Sequence, residues 1–173
     1  RFRNLFAMSE SIPLGDLENK LTGKPAIIVA SGPSLSKNIE KLENAKGKAV
    51  IIAADSAVAP LLNRNIMPDI VVSVDANDFT YEKLAPFMDR LKETRLLFIS
   101  EATPKIPNYI DFASKIFTLL SPRCSPLFNQ ILGTDEPPLT HVQSVIHLAL
   151  GAAQRMGCDP IIFTGLDLAF EKT

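Results

Sequence analysis

The chain has 173 residues, 46% of them hydrophobic and 21% charged, with a formal net charge of −1. That is one domain's worth of polypeptide, long enough to bury a substantial core. A near-neutral balance without a Lys/Arg-dense stripe gives no electrostatic basis for binding nucleic acid, and no apolar run approaches the roughly 18–20 residues of a membrane span.

Residues 1–23 carry weak helical patterning (Phe2, Leu5 and Phe6, then Leu14, Leu17 and Leu21), interrupted by Pro13 and Gly15. They are expected to form a helical lead-in, ahead of a domain spanning 24–173. Six short apolar runs follow: 26–30, 49–54, 70–74, 96–99, 116–119 and 161–164. They lack clean alternation, as expected of strands covered on both faces. Between them lie helical stretches at 36–45, 56–64, 79–92, 125–132 and 140–156. In the first, Leu35, Ile39 and Leu42 share one face while Lys37, Glu40 and Lys41 lie elsewhere. Strand–helix alternation along the whole chain predicts an α/β fold: a Rossmann-like, doubly wound, mostly parallel sheet of about six strands with helices on both faces. The segment between Leu119 and Thr140, with Pro122, Pro126, Gly133, Pro137 and Pro138, reads as a loop with a short helix.

Cys124 and Cys158 lie far apart and outside any C-x-x-C pattern, which suits reduced thiols in a cytoplasmic protein. The first residue is Arg1, and the chain stops three residues beyond Phe170. These ends are expected to mark a piece of a longer protein, truncated on the C-terminal side of the domain.

Chemistry is expected where strands end. Ser31-Gly32-Pro33-Ser34-Leu35 follows the first strand and opens a helix, where unpaired backbone N–H groups can seat a phosphate. Gly32 permits close approach, Pro33 suits the first helical position, and Ser34 can cap the helix or bind the phosphate. The loop matches neither G-x-G-x-x-G nor the P-loop pattern. Its alternative reading is a capped connection without a ligand. A Cβ at Gly32 is expected to abolish nucleotide binding and leave the fold intact.

Asp55, beside Ser56, ends the second strand about 23 residues after Gly32, where dinucleotide folds place a ribose-binding acid. A helix-capping role fits it equally. Asp75 ends the third strand with Asn77 and Asp78 behind it. A metal or hydroxyl ligand and a turn are its two readings. Thr140-His141-Val142-Gln143 matches a capping box, with Thr140 as N-cap and Gln143 three residues on. His141 and Ser144 would face an occupant of the site, and His147 lies by the helix's apolar stripe as a partly buried side chain. Asp167, flanked by Leu166 and Leu168, needs a hydrogen-bond partner if buried.

Taken together, Gly32-Pro33-Ser34-Leu35, Ala53-Ala54-Asp55-Ser56-Ala57, residues 67–75 (MPDIVVSVD), Gln143-Ser144-Val145 and Gly165-Leu166-Asp167-Leu168-Ala169 resemble the central domain of the motility-associated factor (Maf) flagellin glycosyltransferases. That domain family includes archaeal 6-hydroxymethylpterin pyrophosphokinases and is similar in fold to bacterial sialyltransferases. The resemblance covers nearly the whole chain, including the Asn4-Leu5 lead-in. For the Maf branch it implies transfer of a nonulosonic acid from a CMP donor to flagellin Ser/Thr, with no cofactor beyond a possible Mg²⁺. It implies that Gly32, Pro33 and Ser34, with Ser31 and Leu35, hold the nucleotide phosphate. By the same resemblance Asp55, with Ser56, contacts ribose or base, and Ser144 lies near the phosphate. Asp167 and His141 are the candidates for the catalytic group. In the pyrophosphokinase branch Asp75 would hold Mg²⁺ between ATP phosphates. A nucleotide-binding module without catalysis is the third reading.

Overall fold

The computed structural model describes residues 2–167. Its centre is a seven-stranded, all-parallel sheet of β1 (Ile12–Pro13), β2 (Ala26–Val29), β3 (Val50–Ala54), β4 (Ile70–Ser73), β5 (Arg95–Ile99), β6 (Ser114–Thr118) and β7 (Ile161–Thr164). The spatial order is β1-β6-β5-β4-β3-β2-β7. This is the Rossmann-like α/β class that strand–helix alternation predicts. All six expected strands form, and the seventh comes from the lead-in, where Ile12 and Pro13 pair with Ile116 and Phe117. A two-residue strand carries no readable period, so composition alone could not reveal it.

The helices are α1 (Leu5–Ser9), α2 (Pro33–Glu43), α3 (Asp55–Asn63), α4 (Phe79–Leu84), α5 (Met88–Leu91), α6 (Lys105–Tyr109), α7 (Ser125–Leu132) and α8 (Val145–Arg155). The expected helix at 79–92 is broken into α4, a 3-10 turn at Ala85–Phe87 and α5. Pro86 lacks the N–H that a continuous helix would need there.

From β2 to β6 the chain steps steadily across the sheet, and the crossover from β6 to β7 returns to the far side of β2. Right-handed crossovers of opposite stepping direction place their helices on opposite faces. Accordingly, α2 and α3 cover one face: Leu35, Ile39, Leu42, Ala57 and Leu61 pack on Ile27, Val29, Ile51 and Ala53. The other face carries α8, whose Leu148, Ala149, Ala152 and Ala153 are fully buried in the larger cluster with Ile28 and Ile52. Small residues on α8 let it lie close to β2, β3 and β4.

The lead-in is fastened by polar groups as well. Asn4 is buried, and its Nδ2 donates to the carbonyls of Ala102 (2.7 Å) and Ser100 (3.2 Å). Glu136, also fully buried, accepts from the Gly15 N–H (2.6 Å), the Thr118 hydroxyl (2.7 Å) and Arg155 Nη1 (3.0 Å). It ties the lead-in, β6 and α8 together. Burial raises its pKa despite those donors. Cys158 is buried, and neither cysteine forms a disulfide. Among the described residues no helix is long and apolar enough to cross a membrane.

Candidate functional site

The order of the strands reverses between β7 and β2, and open α/β sheets bind ligands outside the carboxyl ends of strands at such a point. The β2–α2 loop and the segment after β7 meet there. The Gly32 N–H donates to the Gly165 carbonyl (2.7 Å), and the Gly165 N–H donates to Ser34 Oγ (3.1 Å). The Ser34 N–H, second in α2, donates to Asp167 Oδ2 at 2.7 Å. Gly165 has φ 71, and a Cβ on it would run into the Ala30 carbonyl.

Asp167 is exposed, so burial does not oblige it to find a partner, but it has one in the start of α2. Its carboxylate occupies the position at a helix N-terminus that suits an anion. Leu168 and Ala169, which share its motif, lie outside the described residues. Gly32 explains itself in the same contact. A Cβ there would lie 2.5 Å from the Gly165 oxygen and 2.6 Å from Asp167 Oδ2. The close approach is made by the protein's own backbone. A substitution at Gly32 strikes the fold as well as the loop's ligand-facing side, which corrects the expectation of an intact fold.

Pro33 is the first residue of α2, as expected, and Leu35 turns inward to the core. Ser31 is exposed, and its hydroxyl donates to Ser56 Oγ at 3.0 Å. This bond joins the β2–α2 loop to the start of α3. Asp55 opens α3, and its Oδ1 accepts from the Ser56 N–H at 2.7 Å. It is half-buried. Burial raises its pKa, and the charge of Asp75 pushes in the same direction, against the Ser56 N–H and the Lys83 ammonium. So Asp55, Ser56, Ser31 and Asp75 share one rim, across the ends of β2, β3 and β4.

Asp75 is exposed, and its main chain rather than its carboxylate is tied down, through the Thr103 N–H (2.7 Å). The turn behind it is real: Asn77 Oδ1 accepts from the Phe79 N–H at 3.0 Å. Asp78 accepts from the Thr103 hydroxyl and pairs with Lys105 at 2.9 Å. The Lys105 ammonium holds the Asp78 carboxyl below its ordinary range. Sequence reading missed this clamp, since Thr103 and Lys105 sit in no recognisable motif. Among the described residues no three His, Cys, Asp or Glu side chains gather to hold a metal.

The start of α8 differs from expectation. Ser144, not Thr140, is its N-cap, and Ser144 Oγ accepts from the His147 N–H at 3.3 Å. His147 Nδ1 in turn accepts from the Gln143 N–H at 3.3 Å. The box has moved four residues along, from Thr140/Gln143 to Ser144/His147. One helical turn separates the two frames, so periodicity does not distinguish them. His141 explains the shift, because its φ of 64 is incompatible with a helix there. His141 and His147 are both exposed, His147 more so than its place by the apolar stripe suggests. The N–H groups of Val145 and Ile146 have no partner among the described residues. Since α8 runs from β6's carboxyl end down to β7's start, Ser144 lies at the same edge of the sheet, on the opposite face.

The edge thus offers two helix starts, a hydroxyl pair and two carboxylates. The α2 start is filled internally and the α8 start is open. Such an edge can hold a phosphorylated ligand's anionic, hydroxyl-bearing end.

A family model described as 6-hydroxymethylpterin diphosphokinase MptE-like matches residues 2–173. A 6-hydroxymethyl-7,8-dihydropterin pyrophosphokinase of Methanocaldococcus jannaschii is 36% identical over 73 residues, 40% of this chain and 30% of that protein. An uncharacterized protein of Treponema pallidum is 37% identical over 65 residues, 38% of this chain and 31% of that one. Among solved structures, the Maf glycosyltransferase of Magnetospirillum magneticum AMB-1 superposes with a TM-score of 0.70 at 20% identity, over 97% of this chain and 28% of that one. At that identity the likeness is one of fold. The matched regions span less than a third of these proteins' own lengths.

Proposed function

From the chain's membership of the MptE-like family, to which it belongs over residues 2–173, we infer that it is the nucleotide-binding domain of a group-transferring enzyme. The reading favoured is a Maf-type glycosyltransferase: a nonulosonic acid passes from a CMP donor to a Ser or Thr hydroxyl of flagellin. The observation that carries it is the convergence of the Gly32 loop, the Ser31–Ser56 hydroxyl pair and Asp55 at the reversal of strand order.

Such a transfer asks little covalent chemistry of the protein. It needs a held phosphate leaving group, stabilisation of an oxocarbenium-like centre and a base for the acceptor hydroxyl. Ser31, Ser34, Ser56 and Asp55 supply hydroxyl and carboxylate partners for a ribose. Ser144 and the open start of α8 supply N–H donors for the phosphate. Of the two candidates for the reacting base, His141 is exposed and has no side-chain partner among the described residues, whereas Asp167 is engaged with α2. His141 is therefore favoured for that role. Asp167 holds the loop in shape.

One observation favours a second reading, a Mg²⁺-dependent pterin pyrophosphokinase. Asp55 and Asp75 lie close enough for one charge to raise the other's pKa. Mg²⁺ is commonly held by one or two carboxylates plus substrate phosphates. These two residues would hold it, and the ion would neutralise phosphate charge.

Thermal unfolding with CMP and with ATP–Mg²⁺ separates the readings. The glycosyltransferase reading expects CMP to raise the melting temperature more. A shift with ATP–Mg²⁺ alone transfers the case to the pyrophosphokinase. No shift with either leaves a module that binds neither nucleotide, and both enzyme readings fall.

A further inference from the structure

At the opposite, amino edge of the sheet, under the connection from β1 to β2, lies a cavity of about 330 Å³. That is within the usual size of small-molecule sites, roughly 300–1,000 Å³. Its floor is Val50, Ile70 and Ile116, the α8-side residues of β3, β4 and β6. Leu17 and Leu21 form one wall and Met156 another.

The walls are fixed by backbone bonds. The connection's Asn19 and Leu21 N–H groups donate to the Arg155 and Met156 carbonyls at 2.9 and 2.8 Å, and the Gly23 N–H donates to Gly157 O at 3.1 Å. These bonds also cap the end of α8, so its carbonyls do not call for lysine partners. The cavity is therefore shaped before any ligand arrives.

Three cations stand around its mouth: Lys20, Lys24 and Arg95. Arg95 opens β5 and is the register partner of Ile70, so it rises from the floor side of the sheet. Among the described residues none of the three has an ion pair or a side-chain hydrogen bond. The one acid at the rim, Asp69, already accepts the Ile51 N–H through Oδ2 at 2.8 Å. Three uncommitted positive charges over an apolar floor is an arrangement that complements one ligand chemistry: an apolar body carrying an anionic head.

We propose that this cavity is a second binding site, for a small organic anion with an aromatic or branched aliphatic body, separate from the nucleotide edge. The head would bridge Arg95 and the two lysines, and the body would replace water against the half-buried Leu17, Leu21 and Val50, above Ile70 and Ile116. The sheet's length of four to five residues, about 15 Å, separates it from Asp55, so both sites can be filled together.

The test uses 2-naphthoate as probe, with neutral 2-naphthamide as its control, followed by calorimetry and amide chemical shifts on the whole chain. Saturable 2-naphthoate binding is expected, with shifts at Leu21, Ile70 and Ile116. Loss of one charge-assisted contact in Arg95→Gln should weaken it about tenfold. The amide should bind at least as poorly to wild type, and CMP titration should be unchanged by Arg95→Gln. Equal binding of acid and amide, shifts confined to another region, full affinity in the variant, or no saturable binding would each overturn the proposal. Its failure leaves the nucleotide reading untouched, since that reading is tested at the other edge.

Discussion

Gly32→Ala tests whether the β2–α2 loop is locked against the segment after β7. Gly32 has φ −71 and ψ 168, which alanine adopts without strain. On backbone grounds alone the change should stabilise by about 0.4–1 kcal/mol, through the unfolded chain. The added methyl, however, would lie 2.5 Å from the Gly165 oxygen, a backbone atom that cannot rotate away. Residues 164–167 must then retreat, and three hydrogen bonds go with them. Two are neutral, about 0.5–1.5 kcal/mol each, and the Ser34–Asp167 bond is charge-assisted. Ser34 and Asp167 are partly solvated, which puts the sum near the lower end of that range. Less the backbone gain, the net loss should be about 1.5–2.5 kcal/mol, or roughly 3–10 °C in melting temperature for a domain this size. Urea and thermal denaturation read it directly. Asp167→Ala removes one of the same bonds, so the double variant should lose less than the two single losses combined. A melting temperature equal to or above wild type in Gly32→Ala would refute the locked contact.

Two further outcomes follow from carboxylates whose pKa is raised by desolvation. Glu136→Ala strands the Gly15 N–H and the Thr118 hydroxyl, leaves the Arg155 guanidinium with the Pro137 carbonyl but no counter-charge, and should cost about 3–5 kcal/mol. A urea midpoint corresponding to less than about 1 kcal/mol would show that Glu136 does not tie these elements together. Asp55 concerns pH. Its pKa is raised in the folded state, so the native protein holds the proton where the unfolded chain has lost it. Its contribution is present below the unfolded pKa, near 4, and is lost as pH rises through the folded value. Asp55→Asn has no such term. The variant's stability relative to wild type should therefore climb with pH from about 4 upward and then level off. A flat difference, or one of opposite sign, would contradict the burial of Asp55.

The sequence carried the six longer strands because short apolar runs, covered on both faces, leave a pattern independent of partners. The amphipathic face of α2 and the run from Asp55 to Asn63 were legible for the same reason. Other features depended on distant neighbours. Ile12–Pro13 becomes a strand only because Ile116 and Phe117 offer an edge. Thr140/Gln143 and Ser144/His147 are equally good boxes by spacing, and the left-handed backbone at His141 chooses between them. Nothing in the spacing of Glu136 from Gly15 or Arg155 foretold their meeting.

The same division runs through the candidate site. By itself the sequence determined that Gly32, Asp55 and Asp75 would lie at strand ends, since the strands and their parallel direction follow from local patterning. Only the tertiary structure decided what each of them meets. The return of β7 to the side of β2 brings Asp167 onto α2, because a crossover of opposite direction must end at the far edge of the sheet. That placement turns a loop resembling an empty phosphate seat into one already holding a carboxylate. The cavity under the β1–β2 connection has the same origin. Its floor comes from three strands and its cations from two segments far apart in the chain, which only the order of the strands brings together.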